Sequence, residues 1–481
     1  MSSFSNKNDQ MDPIHIDAPK VTLAPDLSKL GENDFVFIDV SSIQKGKISK
    51  PFPEVCEDDS YGWEREGFVR MPFSSKRLWK DGTSETGLVK ECLSKLSNPQ
   101  QSIQDVSRII DSWDGEAPSN GYHFNYDSLH NLFNHHLTPQ KPGVSGSLTF
   151  SQEQVASLLA NAFFCVYSFE NRYFTLNLLF MHGHHTKIEK FKCIMHYFDC
   201  VTSKMPDGVI SIRRNCISQD VQFSTMKAEL CTLVVHDDGR IEDTNNEMVE
   251  VDFANEYIGG GVLNEGCVQE EIRFVLSPEL LVSLLVCDKM EDNEAISIIG
   301  TQRFSNYSGY ADSFRFVERA RSESGIRDRY NRVMSEVVAI DASVYFHNRN
   351  KQFDDQSLNR DLLKAYAGFE VLDELNRPIA TGNWGCGAFG GERQLKSLIQ
   401  LASASARGRK EMHYFTFNDA GFARQLKQVH KLLTKNQISI GKLLQLIVSY
   451  RDHSELPNCN FQLFNYIIQE VSKSIQRNAE E

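Results

Sequence analysis

The chain has 481 residues, of which 41% are hydrophobic and 24% are charged; this composition is typical of globular proteins and excludes a wholly disordered chain or a coiled coil. Acidic residues outnumber basic ones by 64 to 51, and the formal net charge of −13 argues against a broad basic surface for direct nucleic-acid binding. The 11 cysteines include no CxxC pair, so the sequence supports neither a zinc ribbon nor a dense disulfide framework and favours reduced thiols inside a cell.

Four regions follow one another along the chain. Residues 1–33 are rich in Ser, Asn, Asp and Pro and are predicted to be a flexible tail. Residues 34–204 are predicted to hold a covering segment and a mainly α-helical accessory domain. Residues 205–475 are predicted to form an α/β domain, and 476–481 a short tail.

Three segments of the N-terminal half have distinct compositions. Asn33–Val40 is a candidate first strand, and the aromatic segment Gly62–Trp79 is predicted to be a covering loop. The longest uncharged apolar run, Val155 to Phe169, is 15 residues long and falls short of the ~20 that a membrane helix needs. We therefore expect a buried core helix there and no membrane partner, and the polar opening residues predict no signal peptide.

The pattern from about residue 81 to 200 predicts an all-helical region. Apolar residues recur at three- and four-residue spacing in Leu88–Ser97 and Gln101–Gly115. Ser151 is a good N-cap, and Gln154 stands three residues on, which is the spacing of a capping box.

Three histidines, His182, His184 and His185, raise the question of a metal site. No acidic or cysteine partner lies nearby in the sequence, so we interpret them as loop histidines and predict no metal.

From residue 205 the texture changes to short β-rich runs that alternate with helical stretches. The β-rich runs are VQFS, ELCTLVVHD, MVEVDFAN, AISIIGTQRF, VVAIDA and MHYFTF. The helical stretches are SPELLVSLLVC, with Ser277 as N-cap and Pro278 at the first helical position, DLLKAYAGFEVLDE and ERQLKSLIQLASASARG. This alternation predicts an α/β domain with a largely parallel or mixed sheet, whose ligands bind beyond the carboxyl ends of the strands.

The first candidate site is a glycine-rich loop after a strand. The strand VEVDF leads into Asp252 and Asn255. Three consecutive glycines, Gly259, Gly260 and Gly261, are followed, after seven intervening residues, by a Gln-Glu-Glu triplet at 269–271. Successive N–H groups in such a loop predict an anion cradle suited to phosphate. The neighbouring carboxyls fit an uncharged part of the same ligand, such as a ribose.

The second candidate site is the turn Gly385–Gly390, which matches GxGxxG and opens a predicted helix. Only about 90 residues follow it, which are too few for the usual dinucleotide-binding arrangement, although a nicotinamide-dependent dehydrogenase remains an alternative on this match. Its glycine turn at a helix start predicts a second phosphate site. Two phosphate sites suggest a diphosphate that bridges two sugars.

These motifs together resemble the poly(ADP-ribose) glycohydrolase family. Gly259–Gly261, seven residues and then Gln269-Glu270-Glu271 is similar to the family signature. The segments VDFAN, EEIRF, NYSGYADSFRF, VVAIDA, ATGNWGCGAFGGERQLKSLIQ and YFTF are similar to family segments in the same order. The resemblance implies a macrodomain-type mixed sheet flanked by helices, with an N-terminal helical domain. It also implies hydrolysis of the ribose–ribose O-glycosidic bonds of poly(ADP-ribose), with no cofactor.

The resemblance also implies roles for individual residues. Glu271 is the expected general acid and base, Glu270 orients a ribose hydroxyl, and Asp252 supports them. The substrate-binding residues that it implies are Ile241, Glu242 and Gln269 at the adenine edge, Tyr310 stacked on adenine, Phe417 beside the adenosine, Asn255 and the glycines 259–261 in the first loop, and Asn383 and Phe389 at the diphosphate and distal ribose.

The expected partners are poly(ADP-ribose) and poly(ADP-ribosyl)ated proteins, and the expected biological setting is the control of protein ADP-ribosylation in the DNA damage response. The sequence has no clear nuclear import signal, since RGRK at 407–410 is too small a basic cluster, so we expect the cytoplasm, the nucleus or both. The alternative from another class is a macrodomain that binds ADP-ribose without cleaving it, and the intact Glu270 and Glu271 argue against it.

Overall fold

The computed structural model describes the sheet and the helices packed around it. The described residues are 34–35, 142–143, 145–163, 176, 179, 184–244, 247–319, 326–328, 330–372, 375–453 and 462–480. The tail predicted at 1–33, the covering loop predicted at 62–79, the helices predicted at 88–97 and 101–115, and His182 lie outside them.

Eleven strands are present among the described residues, and nine of them form one sheet. The nine are β1 (Asp34–Phe35), β2 (Gly146–Ser151), β3 (Val209–Cys216), β4 (Thr232–His236), β5 (Val249–Asp252), β6 (Glu294–Ile299), β9 (Glu336–Ala339), β10 (Ile379–Gly382) and β11 (Glu411–Phe415). Their order is β1-β2-β3-β6-β9-β5-β10-β11-β4. The other two, β7 (Ser305–Ser308) and β8 (Arg315–Glu318), form a separate antiparallel hairpin.

The sheet is mixed, as the sequence predicted. From β9 through β5, β10 and β11 to β4 every pair of neighbours is parallel. From β2 through β3 and β6 to β9 every pair is antiparallel. The parallel half therefore brings the carboxyl ends of β4, β5, β10 and β11 to one edge, where ligands of such sheets bind.

Helices cover both faces of the sheet. They are α1 (Gln152–Phe163), α2 (His185–Ser203), α3 (Gln269–Leu276), α4 (Ser283–Val286), α5 (Asp355–Gly368), α6 (Arg393–Ala406), α7 (Ala420–Lys435), α8 (Ile440–His453) and α9 (Leu463–Glu480). Strand β9 shows the two faces directly, because Val337 and Ala339 join the core under α1–α3 while Val338 joins the core under α5–α9. No helix in the described part of the chain is long and apolar enough to cross a membrane.

The N-terminal region is not purely helical, and the expectation for residues 81–200 is wrong at this point. Strand β2 lies within it and pairs with β3 along six residues, with Thr149 opposite Ser211 and their hydroxyls 2.8 Å apart. Leu148 and Phe150 alternate with polar residues and point into the same core as α1 and α2. Because a short alternating run of this kind lacks a helical period, its pairing with β3 decides its structure.

Two predictions made from short sequence patterns have opposite outcomes. The capping box at the start of α1 is confirmed, since Gln154 N–H donates to Ser151 Oγ at 3.1 Å and Ser151 N–H donates to Gln154 Oε1 at 2.8 Å. The run VQFS is not a strand but contains a 3₁₀ turn, Phe223–Thr225, which buries Phe223 edge-on against Tyr366.

The stretch SPELLVSLLVC is not one α-helix. It divides into a 3₁₀ segment, Pro278–Val282, and the short helix α4. Pro278 stands at the predicted first position, but the Ser277 side chain makes no capping hydrogen bond; its hydroxyl accepts a hydrogen bond from Arg273 at 2.6 Å.

Candidate active site

A cleft of about 650 Å³ lies at the carboxyl edge of the parallel strands. Phe253 follows β5, Asn383 follows β10 and Phe417 follows β11, so three neighbouring strands each deliver a residue to its wall. The volume falls within the range of small-molecule sites. The predicted site residues that line the cleft are Ile241, Glu242, Asn255, Gly260, Gly261, Gln269, Glu270, Glu271, Tyr310, Asn383, Phe389 and Phe417.

The Gln-Glu-Glu triplet forms the first turn of α3. Gln269 fastens this turn to β5, because its Oε1 accepts from Phe253 N–H at 2.8 Å and its Nε2 donates to Val251 O at 3.0 Å. The Gln269 side chain therefore holds α3 against the strand. These two bonds leave one amide hydrogen and one lone pair unused, and Gln269 lines the cleft, so its predicted contact with an adenine edge stays a prediction.

Glu270 is almost fully buried and is held by two backbone amides. Its Oε1 accepts from Gly259 N–H at 2.6 Å, and its Oε2 accepts from Asn255 N–H at 2.9 Å. Burial raises the pKa of the Glu270 carboxyl well above its ordinary value, and the negative charges of Asp252 and Glu271 raise it further against the effect of the two N–H donors.

Glu271 is held in the same way by the next stretch of the loop. Its Oε1 accepts from Gly261 N–H at 2.9 Å, and its Oε2 accepts from Val268 N–H at 2.9 Å. Val268 is the N-cap of α3 and Glu271 is its third helical residue, so the second bond is one half of a capping box. Glu271 thus stabilises the helix start and also presents its carboxyl to the cleft.

The triple-glycine loop surrounds these carboxyls. Gly259 and Gly260 have φ of +91° and +50°, and a Cβ on Gly260 would lie 2.5 Å from Glu270 Oε2 and 2.9 Å from Glu271 Oε1. Gly260 N–H donates to Tyr257 O at 3.2 Å, so all three glycine amides have acceptors within the protein. The predicted phosphate cradle is therefore wrong for this loop, whose amides hold glutamates.

Asp252 stands at the end of β5, behind the cleft wall, and is completely buried. Neither carboxyl oxygen has a hydrogen-bond partner in the described part of the chain. Burial raises the pKa of Asp252 well above its ordinary value, and the charge of Glu271 adds to this while Arg273, itself paired with Glu250 at 2.6 Å, opposes it. Asp252 is therefore a buried acid that lies directly behind the cleft wall and keeps its proton to a higher pH than an ordinary aspartate.

The second glycine loop keeps free amides. The N–H groups of Gly387, Ala388 and Phe389 make no hydrogen bond within the described residues, and a Cβ on Gly387 would meet nothing within 4 Å. At the start of α6, Glu392 already caps the helix by accepting from Leu395 N–H at 2.7 Å. The predicted anion site therefore rests on the loop amides, not on the helix end.

The far end of the cleft is aromatic. Tyr310 and Phe417 meet edge-on with ring centroids 4.9 Å apart. Phe417 has φ of +58° and is 63% exposed, so its ring stands clear at the rim. Burial raises the pKa of Tyr310 to about 12, although a hydrogen bond to its hydroxyl from the backbone of Gln269 acts in the opposite direction.

Glu242 and Asn383 are both fixed by hydroxyls. Glu242 accepts a short hydrogen bond from Tyr307 Oη. Asn383 accepts from Tyr414 Oη at 3.1 Å and donates to Thr416 O at 3.3 Å. Their side chains therefore face the cleft in set orientations.

Comparison with known proteins agrees with this geometry. The sequence profile of the poly(ADP-ribose) glycohydrolase macro domain fold matches residues 220–424, and that of the same family's helical domain matches 127–214. Poly(ADP-ribose) glycohydrolase 1 of Arabidopsis thaliana is 32% identical over 418 residues, which cover 69% of this chain and 75% of that protein. The chain belongs to the poly(ADP-ribose) glycohydrolase family.

Other relatives carry the same name. Poly(ADP-ribose) glycohydrolase 1 of Caenorhabditis elegans is 34% identical over 333 residues, covering 66% of this chain and 42% of that protein. The probable poly(ADP-ribose) glycohydrolase 2 of Arabidopsis thaliana is 32% identical over 374 residues, covering 65% and 70%. The expected fold, a macrodomain with an N-terminal helical domain, is confirmed, and the match to the helical domain takes in β2 and β3 as well as α1 and α2.

The structure adds residues to this family site that the sequence did not single out. Arg240 lies with its guanidinium carbon 4.2 Å from the centre of the Tyr307 ring, and both line the cleft beside Glu242. Arg393, at the start of α6, lines the other side and pairs with Asp419 at 2.6 Å. The one feature of the sequence that could have identified Arg240 is its position next to Ile241, a predicted site residue.

Two of the three candidate metal-binding histidines, His184 and His185, lie in the described part of the chain. His185 begins α2 and contacts the backbone oxygen of Asp312, while His184 bonds Thr186 at 2.7 Å. In the part of the chain that the structure describes, no group of three or more His, Cys, Asp or Glu side chains is placed to hold a metal ion.

Proposed function

We propose that this chain hydrolyses the ribose–ribose O-glycosidic bonds of poly(ADP-ribose) and releases ADP-ribose, with Glu271 as the general acid and then the general base. Family membership supports the activity. One observation supports the site: two adjacent glutamates at the start of α3 are held by loop amides, and both line a cleft large enough for an ADP-ribose unit.

The two glutamates divide the chemistry because their side chains point in different directions. Adjacent residues on a helix diverge by about 100°, so Glu270 and Glu271 do not face each other across one bond. Both are buried, but the residues whose amides hold Glu271, Gly261 and Val268, line the cleft, whereas Gly259, which holds Glu270 Oε1, does not. We therefore assign the contact with the leaving oxygen and with water to Glu271.

In the proposed reaction Glu271 gives up one proton and later regains one. Protonated Glu271 gives its proton to the ribose oxygen that leaves, while the C–O bond breaks and an oxocarbenium-like centre forms. The resulting Glu271 carboxylate then takes a proton from water, whose oxygen bonds to that carbon. Glu270, which two loop amides hold in place, orients a hydroxyl of the same ribose.

The substrate's diphosphate supplies the negative charge that steadies this centre. The free amides of Gly387, Ala388 and Phe389 are its donors, and Arg240 and Arg393 lie on the same cleft walls. These two arginines give local positive charge in a chain whose net charge is −13. Adenine stacks on the Tyr310 ring at the aromatic end, and Phe417, which meets Tyr310 edge-on, flanks the adenosine.

Incubation with radiolabelled poly(ADP-ribose) tests the proposal. Wild type should release free ADP-ribose without any added cofactor, and Glu271→Gln should bind the polymer without releasing it. Polymer binding without release by wild type would indicate a reader macrodomain instead, and a requirement for a nicotinamide cofactor would indicate a dehydrogenase.

Poly(ADP-ribosyl)ated proteins are the macromolecular partners that this activity implies, and the cytoplasm or the nucleus is the compartment that we propose. The absence of direct nucleic-acid binding stays a prediction, which a titration with single- and double-stranded DNA tests.

A further inference from the structure

A lysine from the helical region reaches the catalytic loop. Lys190 lies on α2, within the residues that match the family's helical domain, and its side chain is fully buried. Its Nζ donates to the carbonyl oxygens of Asn264 at 2.5 Å, Gly266 at 2.6 Å and Val262 at 2.8 Å, and lies 3.4 Å from that of Gly261.

This arrangement is an unusual use of a buried ammonium group. Buried lysines are ordinarily paired with a carboxylate, because an isolated buried charge is costly. An ammonium has three N–H donors and no acceptor. The three closest carbonyls of one loop match these three donors, so the loop carbonyls converge on the Lys190 ammonium.

The opposite side of the same loop holds Glu271. Gly261 N–H and Val268 N–H, at its two ends, donate to the two carboxyl oxygens of Glu271. In the middle, a Cβ on Gly266 would lie 2.7 Å from Glu271 Oε1. The loop is therefore a thin layer between the Lys190 ammonium and the Glu271 carboxyl.

We propose that Lys190 is a positioning residue for the hydrolysis: it draws the carbonyls of 261–266 to one side of the loop, so that the amides of Gly261 and Val268 stay directed at Glu271. This inference rests on the proposed function. It makes the helical region part of the catalytic unit, because the residue that fixes the loop belongs to α2.

The ionisation of Lys190 gives the proposal a separate readout. Burial lowers its pKa from the ordinary value to about 8, with Lys187 acting in the same direction and Cys267, Glu271 and Glu265 opposing. Above that pH the amine keeps only two donors and turns a lone pair toward carbonyl oxygens, which loosens the loop. Activity of wild type should fall on an alkaline limb near pH 8.

The experiment compares Lys190→Met with Lys192→Met. Lys192 lies on the same helix, is exposed and pairs only with Glu189 among the described residues, so its variant controls for the loss of a lysine from α2. For Lys190→Met we expect kcat on poly(ADP-ribose) to fall about 10²-fold with KM little changed, which is the effect of misplacing a catalytic group by about 1 Å. The alkaline limb should disappear, and hydrogen exchange should accelerate at the amides of Gly261 and Val268 but not across the sheet.

Each outcome either supports or overturns the proposed role of Lys190. Unchanged kcat, or unchanged exchange at the two amides, overturns the role of Lys190. If Lys190→Met does not fold, Lys190→Arg, which does not titrate near pH 8, must lose the alkaline limb; a retained limb, or failure of both variants to fold, also overturns it. If wild type and Lys192→Met do not hydrolyse the polymer, the proposed function fails, and the exchange data still show whether Lys190 holds the loop.

Discussion

At the scale of single residues, the backbone orients the two carboxyls for which we propose catalytic roles. Each of Glu270 and Glu271 accepts two main-chain N–H groups, so neither depends on a mobile side chain for its orientation. Such fixed donors are characteristic of preorganised sites, where reorganisation is complete before the substrate arrives. The two residues nevertheless differ in what they can do, and substitution separates their roles.

Glu271→Gln keeps the size and accepts hydrogen bonds but cannot cycle a proton. We expect hydrolysis to fall by at least the ~10²–10⁴-fold that one proton-transfer catalyst supplies, with ADP-ribose affinity little changed. Glu270→Gln should lower both affinity and rate, because it orients the ribose. Calorimetry with ADP-ribose beside a polymer assay distinguishes the two. Near-normal activity of Glu271→Gln with a dead Glu270→Gln would transfer the acid to Glu270, whose raised pKa makes it the alternative proton donor.

Tyr310 contributes through its ring. Tyr310→Ala should weaken ADP-ribose binding by about 1–3 kcal/mol, the range for one aromatic–base stack. Tyr310→Phe, which keeps the ring and loses the hydroxyl, is the matched control and should bind nearly as wild type. Calorimetry gives both affinities. If Tyr310→Ala unfolds the protein, as judged by circular dichroism, the ring is a core residue and the stacking role is wrong.

At the scale of elements, β5, the triple-glycine loop and the first turn of α3 work as one unit. Gln269 joins the helix to the strand, and the loop between them closes over the glutamates. Glycine is required at 260 because both its backbone and its missing Cβ matter there: φ is +50° and the carboxyls occupy the space.

Gly260→Ala should therefore damage catalysis more than folding. Its Cβ would overlap the Glu270 and Glu271 oxygens, and displacement by about 1 Å is enough for a ~10²-fold loss of kcat. Gly408→Ala is the matched control, since Gly408 also has a positive φ of +75° but nothing lies within 4 Å of its Cβ. Both variants should lose about 1–2 kcal/mol of stability from the left-handed backbone, measured by urea unfolding. Equal kcat in the two would show that contact with the carboxyls is unimportant.

The features that could be predicted from the sequence are those that depend on residues close together in the chain. The capping box of Ser151 and Gln154 and the glycine-loop signature are encoded within a few residues of one another, so their spacing predicted them. Sequence reasoning missed what depends on distant partners. Strand β2 joins the sheet through β3, some sixty residues later, and Lys190 meets carbonyls that lie more than seventy residues away.

The first-loop phosphate cradle failed for a related physical reason. A triple glycine shows that amides are exposed for bonding, but the sequence does not show which acceptor takes them. Here the glutamates on α3 accept the amides of Gly259 and Gly261, and the carbonyl of Tyr257 accepts that of Gly260.

At the scale of the whole molecule, an acidic protein binds a polyanion. Polymer affinity should therefore come from loop amides, stacking and the two cleft arginines, not from a broad basic field. In titrations of Glu271→Gln with poly(ADP-ribose) from 50 to 200 mM salt, we expect a slope of log K against log salt well below that of a protein making 6–10 phosphate contacts. Free ADP-ribose serves as the reference ligand. A slope as steep as that of such a nucleic-acid binder would contradict this view.

The stability of the whole fold should also respond to the buried acids. Asp252 has its pKa raised well above the ordinary value of 3.8, so from about pH 4 upward the folded state keeps a proton that the unfolded chain has lost. Stability then falls as pH rises, by up to about 1.4 kcal/mol per pH unit for one group, until the pH passes the raised pKa. Asp252→Asn, which imitates the protonated acid, removes this dependence and should gain stability over wild type progressively as the pH rises from 4 toward the raised pKa.

Asp419→Asn is the control of opposite sign. The pKa of Asp419 is lowered by hydrogen bonds from Phe422 N–H and Arg393, so its carboxylate stabilises the fold above about pH 4 and this contribution is lost on acidification. Asp419→Asn should accordingly be less stable than wild type at pH 7. Urea unfolding of the three proteins at pH 4, 5, 6 and 7 gives the differences. A gap between Asp252→Asn and wild type that stays constant with pH would mean that folding does not raise the pKa of Asp252.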